Sequence, residues 1–268
     1  MMITMHDLLS DLVAETAVLD EVLVGLDHVD WEKPTVARGW AVRDQVSHLA
    51  FFDEAAVLAA KDPERFREDA RRLKALGPNF PDVIAEQFRE TPVPELDSWF
   101  REARLELIET FVTFDGKARV PWFGPDMSVT SCVTARLMET WAHTQDVLDT
   151  FGVLREPTRR LQHVAHLGVV TLPFSFRLHD RPVPEAPVHV VLNAPDGTVW
   201  RWGDADARNR VEGDALDFCL VVTQRRHVTD TALVVTGPVA AEWLTIAQAY
   251  AGAPGPGREP LNRTRRVS

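Results

Sequence analysis

The order of apolar and polar positions divides the chain into two parts with different periods. Over roughly the first 150 residues, apolar positions recur at three- and four-residue steps, the period of helices that bury one face. Leu8, Leu9, Leu12, Val13, Leu19, Val22, Leu23 and Leu26 predict an amphipathic helix over 5–27. Pro34 breaks the pattern, and a second helix runs from Trp40 to about Ala60 with Val42, Val46, Leu49 and Ala56 as its stripe. Ala41 stands where a Ser, Thr or Asp cap would help. A charged helix follows from Asp62 to about Leu73, then a short one over 82–90. A longer one spans Val93 to Phe114, with Leu96, Trp99, Phe100, Leu105, Leu107, Ile108 and Phe111 apolar. Beyond the loop around Val120-Pro121-Trp122-Phe123-Gly124-Pro125, another helix starts near Ser128 and ends near Phe151. Helices joined by short loops predict an antiparallel bundle.

After Gly152 the pattern shifts toward strands. One more helix is predicted over Leu161–Phe176. Val188–Asn193 and Val199–Trp202 flank a turn at Ala194-Pro195-Asp196-Gly197 and read as a hairpin. Arg210–Gly213 reads as a short strand, and Asp214 as the cap of a helix to about Gln224. Thr231–Gly237 is a further strand, and Pro238 opens a last helix through Tyr250. The expected organisation is a helical bundle over 1–155, a small α+β domain over 156–260 and a disordered basic tail over 261–268. The fold class is mainly α with an α+β second domain.

The candidate chemistry lies on the helix ending at Phe151. Cys132, Arg136, Glu139, His143 and Asp146 recur at steps of four, three, four and three, which puts them on one helical face. Val133, Leu137, Trp141, Thr144, Leu148 and Phe151 form an apolar stripe beside it. Glu139 and His143, one turn apart, can point at one metal ion, and His48 is the third candidate ligand. Two imidazoles and a carboxylate suit an open catalytic zinc or ferrous site. Spacing alone equally allows an ordinary solvated Glu–His pair, the commoner outcome. Asp146 can orient a ligand ring or hold a cosubstrate, and Arg136 can neutralise the carboxylate or bind an anion.

Charge and composition remove several function classes. A formal net charge of −11 argues against non-specific binding to nucleic acid or to an anionic membrane surface. Two cysteines far apart, Cys132 and Cys219, give no disulfide framework and fit a reducing compartment. No signal peptide and no apolar run long enough to span a bilayer is visible, so a cytoplasmic protein is expected.

The run Gly39-Trp40-Ala41-Val42-Arg43-Asp44-Gln45-Val46-Ser47-His48-Leu49 resembles the first metal-ligand helix of the DinB-like superfamily, and more narrowly that of mycothiol-dependent maleylpyruvate isomerase relatives. Glu139-Thr140-Trp141-Ala142-His143-Thr144-Gln145-Asp146 resembles their second ligand motif, in which Glu replaces a histidine of the usual triad. Val211 through Arg225, and Leu233 through Trp243, are similar to the isomerase's C-terminal domain. The resemblance covers about residues 5–250. It implies a DinB-like antiparallel four-helix bundle followed by a small α+β domain that caps it. It implies His48, Glu139 and His143 as ligands of a divalent metal, expected to be zinc, with mycothiol as thiol cosubstrate. It also implies Arg225 as an anion-binding catalytic residue, with Arg136 a second candidate. Gln224 departs from the family's glycine, and Arg226 follows directly, so the pattern leaves open which arginine serves.

The expected function is metal-dependent isomerisation or S-transfer on a small electrophile, using a low-molecular-weight thiol. The alternatives are an oxidative enzyme of the non-haem iron type, or a non-catalytic metal- or ligand-binding protein. The expected partners are small molecules, with the oligomeric state open.

Overall fold

The computed structural model describes residues 4–261, so Arg263, Arg265 and Arg266 of the expected basic tail lie outside the described residues. The chain forms two compact units, Met1–Arg155 and Glu156–Ser268.

The first unit is built on four long helices: α1 (Met5–Leu23), α2 (Val42–Lys61), α5 (Val93–Phe111) and α6 (Val129–Phe151). Two short helices, α3 (Pro63–Lys74) and α4 (Phe80–Gln87), fill the connection between α2 and α5. α2 packs against α5 and α6, and α1 packs against α6. The stripe read from the sequence is the packed surface: Val42, Val46, Leu49 and Ala56 are fully buried. Leu19, Leu23, Trp31, Leu96, Phe100 and Val147 meet Val42, Val46 and Leu49 in one core cluster. Leu105 departs from its expected apolar face and is 59% exposed, because it projects from the opposite side of α5 to the buried Ala103, Arg104 and Leu107.

Local chemistry sets the helix ends. Thr4 and Asp7 make reciprocal caps on α1: the Thr4 hydroxyl accepts from the Asp7 amide at 3.1 Å and the Thr4 amide donates to Asp7 at 3.2 Å. Ala41 offers α2 no side-chain cap, but Asp44 one turn on accepts from the Ala41 amide at 2.8 Å. Arg89 then clamps that carboxylate at 3.1 Å. Ser128 caps α6 by accepting from the Ser131 amide at 3.0 Å. Gly152 ends α6 in the left-handed conformation, with φ of 65°. The loop before α6 contains a two-residue ladder between β1 (Arg119–Val120) and β2 (Met127–Ser128).

The second unit carries a four-stranded sheet in the order β4-β3-β5-β6. β3 (Val188–Asn193) pairs antiparallel with β4 (Val199–Trp202), as the hairpin reading expects. On its other side β3 runs parallel to β5 (Asn209–Asp214), and β5 pairs antiparallel with β6 (Val234–Thr236). The single helix expected over Leu161–Phe176 is two: α7 (Leu161–Val170) and α8 (Leu172–Leu178). The break falls at Thr171, just before Pro173, which lacks the N–H that a continuous helix would use. α9 (Ala215–Val222) and α10 (Pro238–Ile246) pack on the sheet, and the last helix stops short of Tyr250. Asp214 stands at the N-cap of α9, yet its side chain makes no capping bond; it accepts from Asn193 at 3.3 Å instead. α7 approaches α9 closely because Gly168 has no Cβ: one built there would meet Val222 at 2.6 Å.

Candidate metal centre

α2 and α6 lie side by side, and that adjacency brings the two sequence motifs together. His48 comes from the middle of α2, Glu139 and His143 from consecutive turns of α6. One donor atom from each lies within 4.8 Å of the other two. Glu139 Oε2 is 3.1 Å from His143 Nε2 and 3.6 Å from His48 Nε2. Ligands at about 2.1 Å from a tetrahedral zinc stand roughly 3.4 Å apart, so both separations fit edges of one coordination polyhedron. The two imidazole rings are 4.4 Å apart between centroids.

Protonation suits the same role. Burial, and then the neighbouring His143, push the pKa of His48 down to about 4, against the pull of Glu139. His48 is therefore neutral at pH 7 with a lone pair to give. Burial on its own would raise the Glu139 carboxyl, but its interactions with His143 and His48 outweigh it and hold the group well below the usual carboxylate range. The centre thus offers one anionic oxygen and two imidazole nitrogens. That donor set fits a divalent ion, with coordination positions left for a small molecule.

Aromatic side chains surround it. Trp40 stacks on His143 at 5.8 Å between centroids, with planes 11° apart, and tilts against His48 at 5.1 Å. Its indole N–H is spent on Asp82 at 2.7 Å. Phe52 touches the other side of His48 at 4.6 Å and belongs to an aromatic cluster with Phe80, Trp122 and Phe123. Low-dielectric walls of this kind strengthen the electrostatics inside them.

Arg136 shares the helix but has other surroundings. Arg136 is 2% exposed; its Nε donates to Asp53 at 2.8 Å and one terminal nitrogen donates to the Leu49 carbonyl at 3.3 Å. Asp53, itself fully buried, also accepts from Arg104 at 2.6 Å. Arg104 reaches Thr16 and Thr140 with its remaining nitrogens. This ion-pair hub ties α1, α2, α5 and α6 together beneath the histidines. Asp146 is fully buried, and its backbone carbonyl accepts from Thr150 at 2.9 Å. The side chain against His143 Nδ1 is Gln45, at 2.5 Å. Gln45 sits three residues before His48, inside the first motif, and spacing gave it no role. Cys132 is buried, and burial pushes its thiol up to about 12, so it is no nucleophile.

Arg225 belongs to the second unit, just beyond α9, where it donates to the Thr223 carbonyl at 2.6 Å. Gln224 before it adopts φ of 60°, the left-handed backbone that a glycine takes without strain. Its side chain compensates by accepting from the Tyr250 hydroxyl at 2.6 Å and donating to the Ala247 carbonyl at 3.2 Å. Among the described residues no helix is long and apolar enough to cross a membrane.

Comparison with known proteins follows the same lines. An uncharacterized protein of Mycobacterium tuberculosis, MT0041 in strain CDC 1551 / Oshkosh and Rv0036c in strain H37Rv, is 41% identical over 249 residues, covering 93% of this chain and 97% of that protein. Two crystal structures share the fold at a TM-score of 0.59: the mycothiol-dependent maleylpyruvate isomerase and a histidine-to-alanine variant of it. Identity to them is 12% and 13%; coverage is 87% of this chain and 93% of the isomerase, and 83% and 90% for the variant. The model of the mycothiol maleylpyruvate isomerase N-terminal domain matches residues 12–148, the span that contains His48, Glu139 and His143. On that match, which takes in half of the sequence, the chain belongs to the mycothiol maleylpyruvate isomerase N-terminal domain family.

Proposed function

We propose that this chain is a metal-dependent enzyme that uses a low-molecular-weight thiol, mycothiol in the first instance, for isomerisation or S-transfer on a small electrophile. The observation that carries the reading is the convergence of His48, Glu139 and His143 donors within 4.8 Å, with a neutral His48 and an ionised Glu139. Family membership supports the thiol. Bound there, a divalent ion supplies the Lewis acidity that turns a weakly acidic thiol into a thiolate near neutral pH.

The chain's own residues do the rest. Glu139 contributes one negative charge, which leaves a divalent site net positive and attractive to an anionic sulfur. Trp40 and Phe52 keep water from the histidine rings and so raise the strength of that attraction. The thiolate adds to an electron-poor carbon of a conjugated double bond. Rotation about the resulting single bond, then expulsion of the thiolate, gives the geometric isomer and returns the thiol unchanged. Protonation and release of the adduct gives S-transfer instead. Arg225 is proposed to bind a substrate carboxylate, and its replacement by Ala should raise KM for an acidic substrate while leaving metal content intact. Arg136 is proposed as the second anion-binding candidate, with Asp53 and the Leu49 carbonyl already on two of its guanidinium nitrogens. Asp146 is proposed to bind the thiol cosubstrate, and a raised thiol KM in Asp146→Asn tests it.

The test is elemental analysis of the purified protein beside His143→Ala, followed by turnover assays with and without mycothiol. About one zinc per chain, lost in the variant, with turnover that requires thiol, is the expected result. Iron in place of zinc, with an oxygen requirement, transfers the site to the oxidative reading. Protein shielded from chelators that takes up no metal after zinc addition defeats the proposal, as does turnover indifferent to every thiol.

A further inference from the structure

We propose that Gln45 is a positioning residue for the metal centre: its carboxamide oxygen accepts the Nδ1 proton of His143 and so presents the unprotonated Nε2 of that ring to the cluster. The inference rests on the metal reading above and adds a residue that neither ligand geometry nor family membership assigns.

Donors and acceptors run in one chain from the loop before α2 to the His143 ring. It begins at the backbone carbonyl of Trp40, which can only accept. It accepts the Thr35 amide at 2.7 Å and the Thr35 hydroxyl, which donates to it, at 2.9 Å. The Thr35 oxygen is then an acceptor toward everything else near it. It takes the Ala37 amide at 3.3 Å and the nearer end of the Gln45 carboxamide at 2.8 Å. That end must be the –NH₂ group. The opposite end, 2.5 Å from His143 Nδ1, is therefore the carbonyl oxygen, which can only accept. Nδ1 carries the proton, which leaves Nε2, the atom 3.1 Å from Glu139, to face the cluster.

Burial makes the relay decisive. Gln45 is fully buried and His143 is 7% exposed, so bulk water does not compete for either end. An imidazole of a free side chain divides itself between two tautomers, and only one of them ligates through Nε2 without a proton shift. Holding the other ring nitrogen selects the competent tautomer and fixes the ring plane in advance. The turn before α2 also gains a purpose. Thr35, Ala37 and Trp40 place a hydroxyl over the first turn of the helix, and Trp40, whose carbonyl starts the relay, stacks its indole on the same His143 ring. An amide does this without adding negative charge beside Glu139. A carboxylate would share the acceptor geometry and change the charge, which separates the two effects experimentally.

The experiment measures zinc affinity of the full chain by competition with a chromophoric chelator, for wild type, Gln45→Leu and Gln45→Glu. It is paired with long-range ¹H–¹⁵N correlation of metal-free, ¹⁵N-histidine-labelled protein. Loss of the acceptor in Gln45→Leu should weaken zinc binding by about 10–100-fold, the range found when such outer partners are removed. Gln45→Glu, which retains an acceptor, should stay far closer to wild type. His143 should read as the Nδ1–H tautomer in wild type and as a mixture in Gln45→Leu. Equal affinity of wild type and Gln45→Leu overturns the assignment, as does an Nε2–H tautomer in wild type. A wild-type protein that binds no zinc defeats the metal reading itself, a distinct result. If Gln45→Leu does not fold, the wild-type tautomer and Gln45→Glu decide between these outcomes.

Discussion

Cys132 illustrates how far position on a helix face can mislead about a single side chain. It shares the polar line with Glu139 and His143, yet it is 1% exposed and burial pushes its thiol up to about 12. Desolvation opposes the thiolate, the reactive form, so proximity to a catalytic helix confers no nucleophilicity. Cys219 is buried as well. Both thiols should therefore resist a disulfide reagent at pH 8 in the native protein and react promptly once it is unfolded; fast native labelling of Cys132 would contradict its burial. The linkage has a definite sign. An unfolded thiol releases its proton near 9 and the folded one near 12. The folded state thus holds the proton more tightly, and Cys132 contributes stability that is complete below about pH 8 and is lost progressively as pH rises from 9 to 12. Cys132→Ala should flatten that part of the alkaline unfolding profile, measured by thermal melts across the range. The metal ligands work by the opposite logic: His48 is driven neutral and Glu139 is held ionised, so each is in its ligating form before anything binds.

At the scale of elements, the helix period made much of the site legible and the helix neighbourhood made the rest illegible. Glu139 and His143 are four residues apart, and 3.6 residues per turn fixes their common face whatever α6 packs against. His48 was found through its motif, not through any contact readable from spacing. Gln45 was hidden because its meaning depends on a ring 98 residues away. Asp53 was hidden for the same reason: its partners Arg104 and Arg136 are 51 and 83 residues distant and sit on two other helices. A carboxylate inside Ala50-Phe51-Phe52-Asp53 does carry a signal, since a buried charge demands a counter-charge, but the sequence cannot say which arginine supplies it. Pro173 carried a signal too, and the period on either side of it concealed the break between α7 and α8. The parallel pairing of β3 with β5 had no local signature at all, because strand order is settled by packing. The Asp53 hub gives the element-scale prediction. Asp53→Ala leaves two buried guanidinium groups without their shared carboxylate and should destabilise the bundle by about 3–5 kcal/mol, as removal of one partner from a buried ion pair does. Denaturant unfolding measures it, and a loss under 1 kcal/mol would mean that the arginines find other partners.

For the whole molecule, the decisive fact is that the chain divides into two compact units and that the three candidate metal ligands belong to the first, which has its own core. His48, Glu139 and His143 lie within Met1–Arg155, as do Gln45, Thr35, Trp40, Phe52 and the Asp53 hub. The boundary itself is anchored: Arg155 donates to the Trp141 carbonyl at 2.7 Å, pairs with Glu15 and lies 4.9 Å over the Trp141 ring. It thereby closes α6 onto α1 at the point where the first unit ends. A unit with its own core and a tied-down end can fold alone. A fragment of residues 1–155 should therefore unfold cooperatively and bind zinc with an affinity within about threefold of the full chain. Calorimetric titration of both proteins checks this. The same fragment should fail in thiol-dependent turnover of an acidic substrate, because the proposed anion-binding residue, Arg225, belongs to the second unit. Metal binding without turnover in the fragment, with both present in the full chain, divides the labour along the boundary. Turnover by the fragment alone would remove Arg225 from the proposed chemistry and leave the bundle's own residues to bind the substrate. Failure of the fragment to take up zinc, with full-length protein loaded, would show that the second unit is needed to assemble the centre, contrary to the self-contained ligand set of the first.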